Sequence, residues 1–175
     1  MIAVGSFLVG VGFFLGALKE NIEEQRPLSP FFEPIQPPRL VKVMARRGAE
    51  RQAPPNTIRA LEISAADGVE WAEVDVRITG DGVHVLAQND TLDGASLGPL
   101  KVKERTLAEL QAIDIGVRFA RRYAKGEITT LGRVLEFARG KINLKLNCLD
   151  VDPAKLARDI LDAGMGAQVL LSGTP

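Results

Sequence analysis

From residue 40 onward, strand-like segments alternate with helix-like segments, and this alternation limits the fold more than any other feature of the chain. LVKVMA (40–45) is rich in β-forming residues and leads into a loop. WAEVDVRIT (71–79) alternates with period two, DG at 81–82 marks a turn, and VHVLA (83–87) reads as a further strand. KINLKLN (141–147) and QVLLSG (168–173) complete a set of five. Between them, TIRALEISAADG (57–68) carries Ile58, Leu61 and Ala65 at helical spacing and stops at Gly68. TLAELQAI (106–113) opens with Thr106 as N-cap and Glu109 in the capping-box position. TLGRVLEFARG (130–140) predicts a helix stopped by Gly140. DPAKLARDILDAG (152–164) predicts one capped by Asp152, with Pro153 in its first turn. This alternation predicts an α/β domain of parallel β/α units beginning near residue 39.

The N-terminal run IAVGSFLVGVGFFLGAL (2–18) carries no charge. As a helix it would span about 25 Å, close to a hydrocarbon core of about 30 Å. Residues 1–19 are therefore read as a single transmembrane helix. A cleaved signal peptide fits less well, because no Lys or Arg precedes the run and no A-x-A site follows it. A buried soluble helix would have to be apolar on every face. Gly12 and Gly16 form a GxxxG pair with Gly5 one heptad before Gly12, a pattern that lets membrane helices pack closely. Glycine is also simply frequent in such helices. Lys19 and Arg26 follow the run, which leans the domain toward the cytoplasmic side. Residues 20–38 read as a linker. Its stretch PLSPFFEPIQPP (27–38) is proline-rich and could reach about 35 Å at about 3.1 Å per residue.

Charge excludes some functions. Lys and Arg total 22, Asp and Glu total 22, and the formal net charge is zero. Nothing global attracts nucleic acid. One cysteine, Cys148, excludes an intrachain disulfide, and with the single histidine, His84, it cannot build a usual zinc site. No cofactor is predicted.

A series of short motifs carries more information than any one of them. In order, the chain has ARRG (45–48), APPNT (53–57), EVD (73–75), DG (81–82), QNDTLD (88–93), LAELQAIDIG (107–116) and GEITTLGRVLEF (126–137). In that order and at those distances they resemble the glycerophosphodiester phosphodiesterase family, whose members are TIM-barrel enzymes. The resemblance runs from about residue 40 to the end. It implies a partial TIM-barrel-like domain of about five strands, where a complete barrel takes eight strands and about 250 residues. An open barrel has an unpaired edge and an apolar face that something should cover.

The family's site residues map onto this chain with substitutions. Its two histidines, a general acid and a general base, fall on Arg46 and Gln88, and neither side chain can exchange a proton near neutral pH. Its adjoining aspartate falls on Asn89 and the glutamate of its PENT motif on Pro55. Glu73 and Asp75 remain from the family's divalent-metal set, both on one face of their strand. The third metal-ligand glutamate falls on Lys145, whose ammonium should neutralise Glu73 and Asp75, with Arg46 helping, so that metal binding is not expected. Arg47 matches the family's phosphate-contacting arginine and Asn56 its structural asparagine. Arg46, Arg47 and Asn56 are thus candidate phosphate or lipid-headgroup ligands, with Arg47 pairing internally to Glu73 or Asp75 as the alternative. His84 lies about 13 Å from Gln88 along an extended chain and does not replace the lost pair.

These replacements suggest a non-catalytic pseudoenzyme, anchored by its single-pass helix. In this reading it serves as an accessory subunit of a larger membrane complex, respiratory or photosynthetic assemblies being candidates, and meets other membrane subunits through its helix and its open barrel edge. A headgroup-binding module and a residual glycerophosphodiester phosphodiesterase are the alternatives.

Overall fold

The computed structural model describes residues 42–94 and 98–173. The expected membrane helix with Gly5, Gly12 and Gly16, and the linker after it, lie outside the described residues. Among the described residues no helix is long and apolar enough to cross a membrane.

The chain runs β1 (Met44–Arg46), α1 (Ile58–Ala66), β2 (Trp71–Ile78), β3 (His84–Leu86), β4 (Thr91–Gly94) and β5 (Gly98–Lys101). It continues through α2 (Leu107–Gln111), α3 (Leu131–Ala138), β6 (Asn143–Asp150), α4 (Pro153–Asp162) and β7 (Val169–Gly173). One sheet has the parallel order β1-β2-β6-β7, with β3 attached antiparallel to β2. The sequence expectation of parallel units is met by four strands and not by β3. A DG turn is too short for the crossover that a parallel neighbour requires. Four parallel strands with helical crossovers make up part of a TIM-barrel arrangement. The hairpin β4–β5 forms a separate two-stranded sheet.

Alternation along the strands divides the sheet into two faces. Ala72, Val74 and Val76 of β2 and Leu144 and Leu146 of β6 have no exposed surface and pack under the helices. Leu61 from α1, Leu131, Val134 and Leu135 from α3, and Leu156 and Ile160 from α4 close that layer. The helices begin where their caps predict. Thr57, Thr130 and Asp152 each accept from first-turn N–H groups, and Thr106 with Glu109 forms a full capping box.

His84 sits on the helix-facing side of the sheet, level with Ile78, and is 2% exposed. Its Nδ1 lies 2.8 Å from Asp159 Oδ2 on α4, and its Nε2 accepts the Asp152 N–H at 3.3 Å. Lys155 Nζ also reaches Asp159, at 2.8 Å. Burial pushes the Asp159 carboxyl up, but hydrogen bonds from His84 and Lys155 outweigh it and hold the carboxyl below its usual range. The histidine is a clasp between β3 and α4, on the far side of the sheet from the carboxylates Glu73 and Asp75.

Candidate functional site

The register of β2 against β6 builds the site. Glu73 lies opposite Lys145 and Asp75 opposite Asn147, and alternation turns all four away from the face of Val74 and Leu146. β1 places Arg46 opposite Glu73. Lys145 Nζ meets Glu73 Oε2 at 2.7 Å, and Asn147 Nδ2 donates to Asp75 Oδ1 at 2.9 Å.

The loop between β1 and α1 supplies the rest. Arg47 and Asn56 both have positive φ, +51° and +60°, which costs a non-glycine residue conformational energy and marks a backbone held by its surroundings. Both turn onto the same carboxylate. Arg47 Nε donates to Asp75 Oδ2 at 2.8 Å and Asn56 Nδ2 to the same oxygen at 3.1 Å. Asn56 Oδ1 accepts the Asp75 N–H at 3.0 Å, and the Asn56 N–H reaches the Arg47 carbonyl at 3.1 Å. Only 3% of the Asp75 side chain is exposed. A charge so buried is costly unless paired and fully hydrogen-bonded, and these three neighbours meet that need.

Glu50 lies between the two arginines. Arg46 Nη1 approaches it at 3.3 Å and Arg47 Nη1 at 3.4 Å. Arg46 is 61% exposed along its side chain, so its pairing is weak and its guanidinium faces solvent. Contrary to expectation, Arg46 does not help to neutralise Glu73 and Asp75. The structure gives Asp75 to Arg47, Glu73 to Lys145, and Arg46 to Glu50. Gln88 and Asn89 are exposed, and the Gln88 carbonyl accepts from Arg77 Nη2 at 3.2 Å. They border an open cleft of about 350 Å³ that Asn56, Arg118 and Phe119 also line.

Two contributors escaped the sequence reading. Glu50 stands three and four residues after the arginines it meets, a spacing that could have revealed it. Asn147 is two residues from Lys145 on one strand and therefore shares its face.

The family resemblance implies a divalent metal held by carboxylates, and the donor set here does not fit one. Glu73 faces an ammonium at 2.7 Å, and both oxygens of Asp75 are taken by nitrogen donors. A hard cation needs several oxygen ligands, and the adjoining Lys145 would repel it. Each cation of the site meets a carboxylate instead, Arg46 and Arg47 on Glu50, Arg47 also on Asp75, and Lys145 on Glu73, so the internal pairing expected as the alternative for Arg47 is the one observed.

Residues 47–159 match the glycerophosphoryl diester phosphodiesterase family. A glycerophosphodiester phosphodiesterase of Caldanaerobacter subterraneus is 35% identical over 99 residues, covering 57% of this chain and 41% of that protein. Human glycerophosphodiester phosphodiesterase 1 is 28% identical over 80 residues, 46% of this chain and 24% of its own length. The crystal structure of an Agrobacterium tumefaciens glycerophosphodiester phosphodiesterase superposes with a TM-score of 0.73 and 29% identity, over 78% of this chain and 59% of that one. An Oleispira antarctica phosphodiesterase in complex with the product sn-glycerol-3-phosphate gives 0.62 and 27%, over 76% and 57%. The chain thus spans roughly a quarter to three-fifths of these proteins. The likenesses overturn the expectation of a non-catalytic accessory subunit of a membrane complex: the proteins that share this scaffold are named phosphodiesterases, and one of them holds a reaction product. Side-chain replacements within a retained scaffold do not by themselves establish a new role. A family model matched from the Arg47 loop to the middle of α4, together with a shared fold, places the chain in the glycerophosphoryl diester phosphodiesterase family.

Proposed function

We propose that this domain binds glycerophosphodiesters and hydrolyses them slowly. The supporting observation is the loop that holds Arg47 on Asp75 beside the solvent-facing Arg46, within a scaffold matched to the family. Arg46 and Arg47 bind the phosphate oxygens by charge-assisted hydrogen bonds, while Asn56 and Asn147 fix Asp75 and so the position of Arg47. Water attacks phosphorus, the bond to the alcohol oxygen breaks, the leaving oxygen takes up a proton from solvent as the attacking water loses one to it, and glycerol phosphate and the alcohol are released. Arg46 and Gln88 supply no proton shuttle. Orientation and charge are what remain, and the missing acid–base groups cost a factor of about 10²–10⁴ in rate.

The test is release of sn-glycerol-3-phosphate from glycerophosphocholine by the full chain, beside the double variant Arg46→His/Gln88→His. Slow turnover by the native chain, raised about 100-fold or more by the two histidines, is the expected result. Absence of turnover in both, with no saturable binding of the substrate, would sink the reading. Residues 2–18 are proposed to hold the chain at a membrane, and resistance of the full chain to alkaline extraction from vesicles checks that placement.

A further inference from the structure

We infer that the Lys145 ammonium occupies the place a divalent cation would take, so that phosphate capture at this site is independent of metal. The inference rests on the proposed reading of the site as a phosphodiester pocket. Three observations carry it. Lys145 and Glu73 are direct partners across parallel strands, so backbone register as well as side-chain choice holds the ammonium 2.7 Å from the carboxylate. The pair is only part-exposed, 28% for Lys145 and 21% for Glu73, which strengthens its attraction relative to a surface pair. Asp75 is committed elsewhere, with Oδ1 on Asn147 and Oδ2 on Arg47 and Asn56.

An ammonium has three donors and no acceptor. One donor meets Glu73, and the group still presents positive charge to an incoming phosphate oxygen. Unlike a bound ion it cannot be lost to a chelator. The same geometry makes the site convertible by one substitution. Lys145→Glu removes the repelling charge and adds a carboxylate on the face that already carries Glu73 and Asp75. Glu73 and the new carboxylate are then free for an ion, and Asp75 joins them only by giving up the Asn147 bond at Oδ1, so the calcium site gained is a weak one.

The experiment is calcium titration by calorimetry on the full chain and on Lys145→Glu, with thermal melting of each in calcium and in EDTA. The native chain should show no saturable calcium heat up to about 1 mM and equal melting points in the two solutions. Lys145→Glu should bind calcium with Kd of about 10⁻⁴–10⁻³ M and melt higher with calcium than with EDTA. Calcium binding by the native chain at least as tight as by Lys145→Glu would overturn the inference, as would a folded Lys145→Glu that gains none. Lys145→Met covers the case in which Lys145→Glu fails to fold. It removes the ammonium without adding a ligand, and it should weaken glycerol phosphate binding at least tenfold in EDTA while gaining no calcium site. Unchanged phosphate affinity in Lys145→Met would also overturn the inference. Should the calcium results hold while the native chain binds no glycerophosphodiester under any condition, the functional reading fails and the exclusion of metal stands.

Discussion

A methyl group added at residue 48 would meet the carbonyl carbon and Cβ of Ala60 at 2.8 Å, and the backbone there has φ +73°. Glycine is required twice over, since the loop carrying Arg47 presses directly on α1, where the Ala49 N–H bonds the Ala60 carbonyl at 3.0 Å. Gly48→Ala should destabilise the domain by about 2–4 kcal/mol, combining left-handed strain with overpacking. Gly82 has φ +80° but nothing within 4 Å, so Gly82→Ala should cost only the strain, about 1–2 kcal/mol. Urea denaturation of both variants checks the difference, and equal midpoints would contradict it. At this scale the positions of Glu73, Asp75 and Arg47 were legible from motif spacing. The identity of each partner was not. Arg46 and Arg47 are adjacent in sequence, and it is Arg47, at positive φ, that turns inward to Asp75.

Helices and their caps were the most legible elements, because capping is local chemistry written in a few neighbouring residues. The β4–β5 hairpin was hidden, since Gly94, Gly98 and Pro99 interrupt any period-two pattern. The loop after α2 was equally silent, although one side chain organises it. Asp114 accepts N–H groups from Lys125, Gly116, Val117 and Gly126, at 2.7 to 3.2 Å. The Lys125 N–H contributes most, and together these bonds lower the Asp114 carboxyl below its usual range despite the opposing effect of desolvation. A depressed carboxyl stabilises the fold above its unfolded value, near 3.9, and loses that contribution as pH falls through the folded value. The amides of Lys125 and Gly126 should therefore exchange faster with solvent as pH drops below about 4, after correction for intrinsic rates. In Asp114→Asn that pH dependence should be absent, and hydrogen exchange at the two amides measures it.

For the molecule as a whole, the alternation of strands and helices was enough to predict an α/β sheet, and the family resemblance to predict part of a barrel. Strand direction was less accessible, because a period-two pattern looks the same whichever way the chain runs, and only the short DG turn distinguishes β3 from its parallel neighbours. The core that joins these elements centres on β2 and β6. Leu146 has no exposed surface and sits in the layer beneath the helices, so Leu146→Ala should cost about 2–5 kcal/mol. A single cooperative transition shifted to lower denaturant would confirm that the described sheet and helices unfold together, whereas two separate transitions would divide them.

The clasp at His84 has a further use. Because Nε2 accepts the Asp152 N–H, the proton of the neutral ring belongs on Nδ1, pointing to Asp159. The chain contains no other imidazole. Nitrogen-15 labelling of histidine alone would thus give one pair of ring signals, an unobstructed spectroscopic beacon for whether the β2–β3 hairpin and α4 are joined, readable in the intact chain without altering a single residue.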